Sequence, residues 1–260
     1  MRQYHRATIR LFHAPLPPVY ANENTAIATR STCIPESSPE VPGVPGPRRL
    51  QTGVAISKIS ASSGGFTGIL EDQAAFGASL AWLGDLDGDG VTDLAVGGGE
   101  RRMGGSTQSL WILLLNSNGT TKSQTKASSE AAGFPEATDA SAQFGDALAA
   151  VGDLDGDSVP DVAVGAPFEV TDRTTRGAVW LLFLNSNGSV KSYTKIINDG
   201  NSGFSGDVES LDVFGGALAC PGDVNGDSVP DLAVGASGDQ DGGASAGAVW
   251  ILFLGTGGAV

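Results

Sequence analysis

Histidine is almost missing from this sequence: His5 and His13 are the only two among 260 residues, and both precede the repeated part of the chain. Chemistry that relies on an imidazole base therefore has nothing to draw on in the body of the protein. Neither a G-x-S-x-G nucleophile elbow nor a phosphate-binding P-loop occurs. Cysteine is equally scarce. With Cys33 in the N-terminal tail and Cys220 in an apolar stretch, no disulfide framework is indicated, and two unpaired thiols, one of them buried, are expected. No apolar run approaches the roughly 20 residues that a spanning helix needs, so no membrane span is expected. The N-terminal "ATIRLFHAPLPPVYA" is broken by Arg10, His13 and three prolines and makes a poor secretory h-region.

Positive charge is short as well. Lys and Arg number 15 against 29 Asp and Glu, for a net charge of −14. The imbalance is uneven: residues 1–50 carry six arginines and three glutamates, and the remainder carries nine basic and 26 acidic residues. That acidic body argues against nucleic acid as a partner. What the chain has in quantity is glycine, 38 residues, with 40% hydrophobic and 17% charged residues. Such a composition is globular and turn-rich, and points to an all-β protein of short strands.

Eight of the 13 prolines and only two glycines fall in residues 1–50. The stretch "PESSPEVPGVPGPRR" resembles a stiff, extended linker, and residues 1–50 are expected to be poorly ordered. Beyond Leu50 lies a threefold internal repeat. "FGASLAWLGDLDGDGVTDLAVGGG" begins at Phe76, "FGDALAAVGDLDGDSVPDVAVGAP" at Phe144 and "FGGALACPGDVNGDSVPDLAVGAS" at Phe214, at intervals of 68 and 70. Trp111, Trp180 and Trp250 keep step at 69 and 70, and Phe66, Phe134 and Phe204 at 68 and 70. Three sets of landmarks in register mean one supersecondary unit copied in tandem.

Each unit reads as four antiparallel strands. In the second copy these are Phe144 to about Val151, "VPDVAVGAP", the almost continuously apolar "GAVWLLFLN" and the alternating "SVKSYTKII". An apolar third strand buried on both faces describes a β-propeller blade stacked between neighbours. The array is expected to hold strand four of a preceding blade at residues 53–60, blade 1 over about 66–127, blade 2 over about 134–197 and an incomplete blade 3 over about 204–260. Three blades enclose too tight an axis for a closed ring, so an open or incomplete propeller is expected. Either the chain is part of a longer repeat protein, or several chains supply further blades.

Between strands one and two, each copy crowds acidic residues at positions 1, 3, 5 and 9 of a loop. These are Asp85, Asp87, Asp89 and Asp93; Asp153, Asp155, Asp157 and Asp161; and Asp223, Asn225, Asp227 and Asp231. Position 7 is Val91, Val159 or Val229, which offers only a backbone carbonyl. Carboxylates gathered this closely repel, by roughly 4 kcal/mol per pair at 4 Å near a protein surface, so a cation is expected among them. Hard oxygens at alternate positions of a tight loop suit Ca²⁺, at up to three sites. Magnesium fits less well, zinc lacks Cys or His ligands, and an EF-hand is excluded because a strand follows where a helix is required. Solvated acidic turns are the plainer alternative. Position 6 is Gly90 in the first loop but Ser158 and Ser228 in the others; if it needs positive φ, serine strains the loop by about 1 kcal/mol, and the first site is expected to bind at least as tightly as the second.

Phe-Gly opening each unit, the DxDxDxxxD loop and the closing Gly165-Ala166-Pro167, with near matches at Gly235-Ala236-Ser237 and Gly97-Gly98-Gly99, resemble the FG-GAP repeats of integrin α-subunit propellers and of many bacterial surface and secreted proteins. The resemblance covers about residues 53–260. It implies calcium in the loops on one face of the disc, and adhesion or ligand binding on its surface. No inserted DxSxS metal domain is present, and only the second copy has an intact Gly-Ala-Pro.

Asn118-Gly119-Thr120 and Asn187-Gly188-Ser189 match the glycosylation acceptor pattern, but Asn-Gly also marks a two-residue hairpin turn between strands three and four. The tryptophans suit blade packing better than sugar stacking. Acidic residues in register across all repeats indicate structure, whereas an active site is normally built once, and a carboxylate pair for glycoside cleavage is the one catalytic reading left open. The expectation is a non-enzymatic, extracellular or cell-surface module for cell adhesion or protein recognition, its partner a protein or glycan ligand at a cell surface or matrix. A glycan-binding propeller, a substrate-targeting propeller of a secreted hydrolase or lyase, and a structural spacer are the alternatives.

Overall fold

The computed structural model describes residues 56–70, 72, 74–99, 108–127, 141–197 and 203–260, all within the unit Ser31–Val260. Short alternating or apolar runs between glycine-rich turns form antiparallel strands throughout, and the described residues contain no helix. In chain order, β1 (Ser79–Gly84), β2 (Asp93–Gly99), β3 (Gln108–Leu115) and β4 (Thr121–Ala127) make the first sheet. The second comprises β5 (Leu148–Gly152), β6 (Asp161–Ala166), β9 (Ala178–Leu184) and β10 (Val190–Ile196). Between β6 and β9 a short hairpin, β7 (Val170–Thr171) and β8 (Thr174–Thr175), stands as a sheet of its own. The third sheet is β11 (Phe214–Gly222), β12 (Asp231–Ala236) and β13 (Ala248–Leu252). Register repeats with the sequence: Ala95 faces Ile112, Ala163 faces Leu181 and Ala233 faces Ile251. These are propeller blades in an open row.

The cores lie between blades. Strand β9 explains how, because both of its faces are buried. Trp180, Leu182 and Leu184 pack toward blade 1 with Leu83, Leu110, Ile112 and Leu114, while Val179, Leu181 and Phe183 pack toward blade 3 with Phe214, Leu232 and Val234. Each such aliphatic side chain removed from water contributes about 1.5–3 kcal/mol. The ends of the row are open: Leu80 and Trp82 of β1, and Val249, Ile251 and Phe253 at β13, are 45–71% exposed. The tryptophans pack as expected. Trp111 meets Phe66 edge-on at 4.9 Å, and Trp250 meets Phe204 at 5.5 Å.

The paired glycines of the repeat have a steric cause. A Cβ on Gly97 would strike the carbonyl oxygen of Gly145 in the next blade, and one on Gly165 would strike that of Gly215. So the glycine that closes strand two of one blade lies against the Phe-Gly glycine of the next. Gly145 and Gly215 have φ near +90°, which only glycine adopts freely. Across the first seam, Ser79 Oγ also donates to Gly145 O at 2.5 Å.

Four expectations change at this level. The Asn-Gly turns are not two-residue hairpins: Asn116 N donates to Thr120 O and Gly119 N to Asn116 O, both at 2.8 Å, so three residues form the loop and Gly119, φ +76°, closes it. Residues 187–188 repeat that geometry, with Gly188 at φ +78°. Within residues 53–60, the described Ile56–Ile59 are not in a strand and Ser60 only bridges Ser63, so among the described residues the segment forms no ladder. It nevertheless takes strand four's place, since Ser57 Oγ donates to Gly119 O as Thr125 Oγ1 of blade 1 donates to Asn187 O. Cys220 is disulfide-bonded, not an unpaired buried thiol; it lies half-buried on β11, whose outward positions no blade covers. Finally, the β7–β8 hairpin was not expected. Residues 1–50, Cys33 and Phe134 lie outside the described residues.

The seam makes a prediction. Gly165→Ala forces a methyl into the backbone of blade 3 and should cost about 1–3 kcal/mol of stability in urea denaturation. Gly235→Ala, the same repeat position with no described blade stacked beyond it, meets nothing nearer than Ala217 Cβ at 3.1 Å and should cost measurably less.

Candidate metal centre

In each blade the loop between the first two strands is built by its own aspartates. The carboxylate at position 1 gathers three successive backbone amides. Asp85 accepts from Gly88 N, Asp89 N and Gly90 N at 2.8–3.0 Å, Asp153 from Gly156, Asp157 and Ser158 at 2.7–3.0 Å, and Asp223 from Gly226, Asp227 and Ser228 at 2.6–3.2 Å. Closing that nest requires a left-handed backbone at position 6, where Gly90 has φ +84°, Ser158 +69° and Ser228 +73°. The serine strain expected of the second and third loops is present, at about 1 kcal/mol each.

Position 9 is the opposite of a solvated ligand. Asp93, Asp161 and Asp231 open the second strand and are 0–1% exposed. One oxygen accepts the amide of the loop's second residue, Leu86, Leu154 or Val224, at 2.7–2.9 Å. The other accepts the amide that ends the third strand, Leu115 or Leu184, or lies just beyond it, Leu254, at 2.9–3.1 Å. Burial, outweighing these two bonds, raises the carboxyls of Asp93 and Asp161, the latter to about 7.

Positions 3 and 5 are left for a cation. Asp89 and Asp157 accept only a local amide, from Val91 and Val159 at 2.9 Å, besides an ammonium. Lys122 Nζ stands 2.7 Å from Asp87 Oδ2 and 2.6 Å from Asp89 Oδ2; Lys191 Nζ stands 2.7 Å from both Asp155 Oδ2 and Asp157 Oδ2. These lysines hold Asp89 and Asp157 below the usual carboxylate range and are themselves raised by the same contacts. In the third loop a neutral donor takes that part: Asn225 Nδ2 donates to Asp227 Oδ2 at 3.0 Å. The sequence reading named neither lysine. The available signal was their spacing of 69, in step with the tryptophans, after each Asn-Gly turn.

Oxygens of Asp85, Asp87 and Asp89 lie within 4.8 Å of one another, as do those of Asp153, Asp155 and Asp161. Two ligands on opposite sides of one Ca²⁺ are about 4.6–5.2 Å apart, so both triads fit a single ion of that size. Asp87 Oδ1 is buried with no hydrogen-bond partner, an acceptor that a multidentate cation would satisfy and the ammonium does not. The third loop forms no such triad among the described residues. Val91, Val159 and Val229 press their side chains onto the three cores, which fixes the backbone at position 7.

A family profile described as FG-GAP repeat matches residues 76–113, 144–182 and 215–252, one match per blade. These are FG-GAP repeats. Integrin alpha-3 of Cricetulus griseus is 32% identical over 178 residues, 64% of this chain and 14% of that protein. Phosphatidylinositol-glycan-specific phospholipase D of Homo sapiens is 32% identical over 186 residues, 68% of this chain and 21% of that protein. Integrin alpha pat-2 of Caenorhabditis elegans is 39% identical over 94 residues, 36% and 7% respectively. The chain thus spans about a fifth or less of the length of these relatives. No helix among the described residues is long and apolar enough to cross a membrane.

Asp161 yields a pH prediction. Its folded pKa, about 7, lies above its unfolded value, so its neutral form stabilises the metal-free protein fully below about pH 4, and that contribution is lost as pH rises through 7. Urea denaturation of chelator-treated protein should show stability falling between pH 5 and 8 more steeply in the parent than in Asp161→Asn. Parallel profiles would contradict the assignment.

Proposed function

We propose that this chain is a calcium-stabilised FG-GAP propeller module for adhesion or protein recognition outside the cell, without catalytic activity of its own. The observation that carries the reading is the convergence of loop carboxylates on the same turn of the first two blades, with a buried unpartnered oxygen at Asp87. Asp85, Asp87, Asp89 and Asp93 with the Val91 carbonyl would hold the first ion. Asp153, Asp155, Asp157, Asp161 and Val159 would hold the second, and Asp223, Asn225, Asp227, Asp231 and Val229 the third. When bound, the ion supplies a divalent charge that offsets carboxylate repulsion. The chain's own part is to present oxygens already oriented by the backbone nest and the buried position-9 carboxylate.

Integrin alpha chains among the relatives support recognition as the role of the blades. The exposed faces at Leu80 and Trp82, and at Val249, Ile251 and Phe253, suit further blades from a longer chain or a second copy, because Val179, Leu181 and Phe183, 70 positions earlier, are buried against blade 3. The phospholipase D relatives favour a second reading, a module that directs a hydrolase to its substrate. Binding on a glycan array with no binding to matrix or cell-surface proteins would favour that second reading.

Calcium decides the metal part. With calcium a hundredfold above Kd, each site adds about 2.7 kcal/mol, which raises Tm by about 5–10 °C in a protein of this size. Asp85→Ala and Asp153→Ala should each remove one site's share of the shift. A Tm that chelator and calcium leave unchanged at neutral pH would overturn the calcium reading.

A further inference from the structure

Each complete blade places one lysine ammonium against its acidic loop. Lys122 and Lys191 are the second residues of β4 and β10, and each reaches back 33–36 positions in sequence to the carboxylates at loop positions 3 and 5. The ammonium meets the Oδ2 atoms of these carboxylates, for which no backbone donor is found among the described residues, whereas both oxygens at positions 1 and 9 accept backbone amides. The ammonium satisfies the pair but not the cradle: Asp87 Oδ1, on the carboxylate that Lys122 touches, stays buried and unpartnered. A single positive charge with three donors is a partial fit to a site with more acceptors.

We propose that Lys122 and Lys191 are tethered counter-ions that occupy their loops in the metal-free protein and withdraw when a divalent cation binds, so that each sets the affinity of its own site. The inference rests on the reading of these loops as calcium sites. Both lysine side chains are 41% exposed, so withdrawal costs little beyond the ion pairs themselves, and the long stem can carry the ammonium into water. Competition follows directly. A ligand that binds only the ammonium-out form has its apparent affinity reduced by the fraction of molecules in that form, so an ammonium seated in nine of ten molecules weakens binding about tenfold. Seated, it also offsets part of the loop's negative charge when calcium is low. In the third loop the neutral Asn225 amide sits beside Asp227, and a cation entering there displaces no charge from it.

The test uses the full 260-residue chain, titrated with calcium chloride by calorimetry, as parent, Lys122→Met, Lys191→Met and the double variant. Methionine keeps the apolar stem and removes the charge. Each single variant should bind one equivalent of calcium, and the double variant two, about three- to tenfold more tightly, and all should melt at lower temperature in chelator, while the calcium-loaded Tm stays at the parent value. Parent binding with equal or weaker binding by the variants overturns the proposal and leaves the calcium reading standing; no binding by parent or variants overturns both. Reductive methylation of the unmodified parent, read by mass spectrometry, needs no variant to fold. Lys122 and Lys191 should react faster in calcium than in chelator, and equal rates in a calcium-binding parent count against the proposal.

Discussion

A buried carboxylate at the ninth position of each loop holds the blade together. Asp93, Asp161 and Asp231 tie the turn after the first strand to the end of the third, one oxygen to each. Without that acceptor, two amides would face a core that offers no replacement, and leaving such groups unpaired costs about 1–3 kcal/mol each. The tie makes the loop part of the sheet. The other carboxylates are therefore delivered to a fixed place on the blade, and their convergence does not depend on the flexibility of an exposed turn.

Stacking multiplies this arrangement. Gly97 against Gly145 and Gly165 against Gly215 let backbones of successive blades touch, and the touch fixes the offset at which cores interlock. Because the offset is the same at both seams, the acidic turns recur at the same place in every blade. Each blade contacts only its neighbours, so its stability depends on what is stacked on it. Blade 2, covered on both faces, has a fully buried third strand, whereas β13 of blade 3 alternates between buried or half-buried and exposed positions.

Periodicity made the blades legible before any coordinates, since a unit copied three times exposes its strands by comparison with itself. The third strands were the plainest, because burial on both faces leaves an unbroken apolar run such as "AVWLLFL". The acidic loops were legible from spacing alone. The lysines were not, because only the antiparallel return of the fourth strand brings residues 33–36 apart into contact. The β7–β8 hairpin escaped notice for another reason: strands of two residues are too short to carry alternation, and its turn uses Asp172 and Arg173 at φ +51° and +65° without glycine. Cys220 was misread because an apolar sequence was taken for a buried one, and β11 lies at an edge.

Charge crowding, which first drew attention to the loops, is relieved in two different ways. Positions 1 and 9 have both oxygens held by backbone amides, so those aspartates belong to the fold. Positions 3 and 5 are met, besides a local backbone amide at position 5, by a half-exposed lysine ammonium or a side-chain amide. The division separates what shapes the cradle from what fills it. It also explains why Asn225 can replace an aspartate at position 3 while position 9 is aspartate in every copy: asparagine has only one accepting atom, and position 9 must accept an amide on each of two oxygens. An amide side chain would turn a donor toward one of the two N–H groups, at the center of the contact that keeps the blade in one piece.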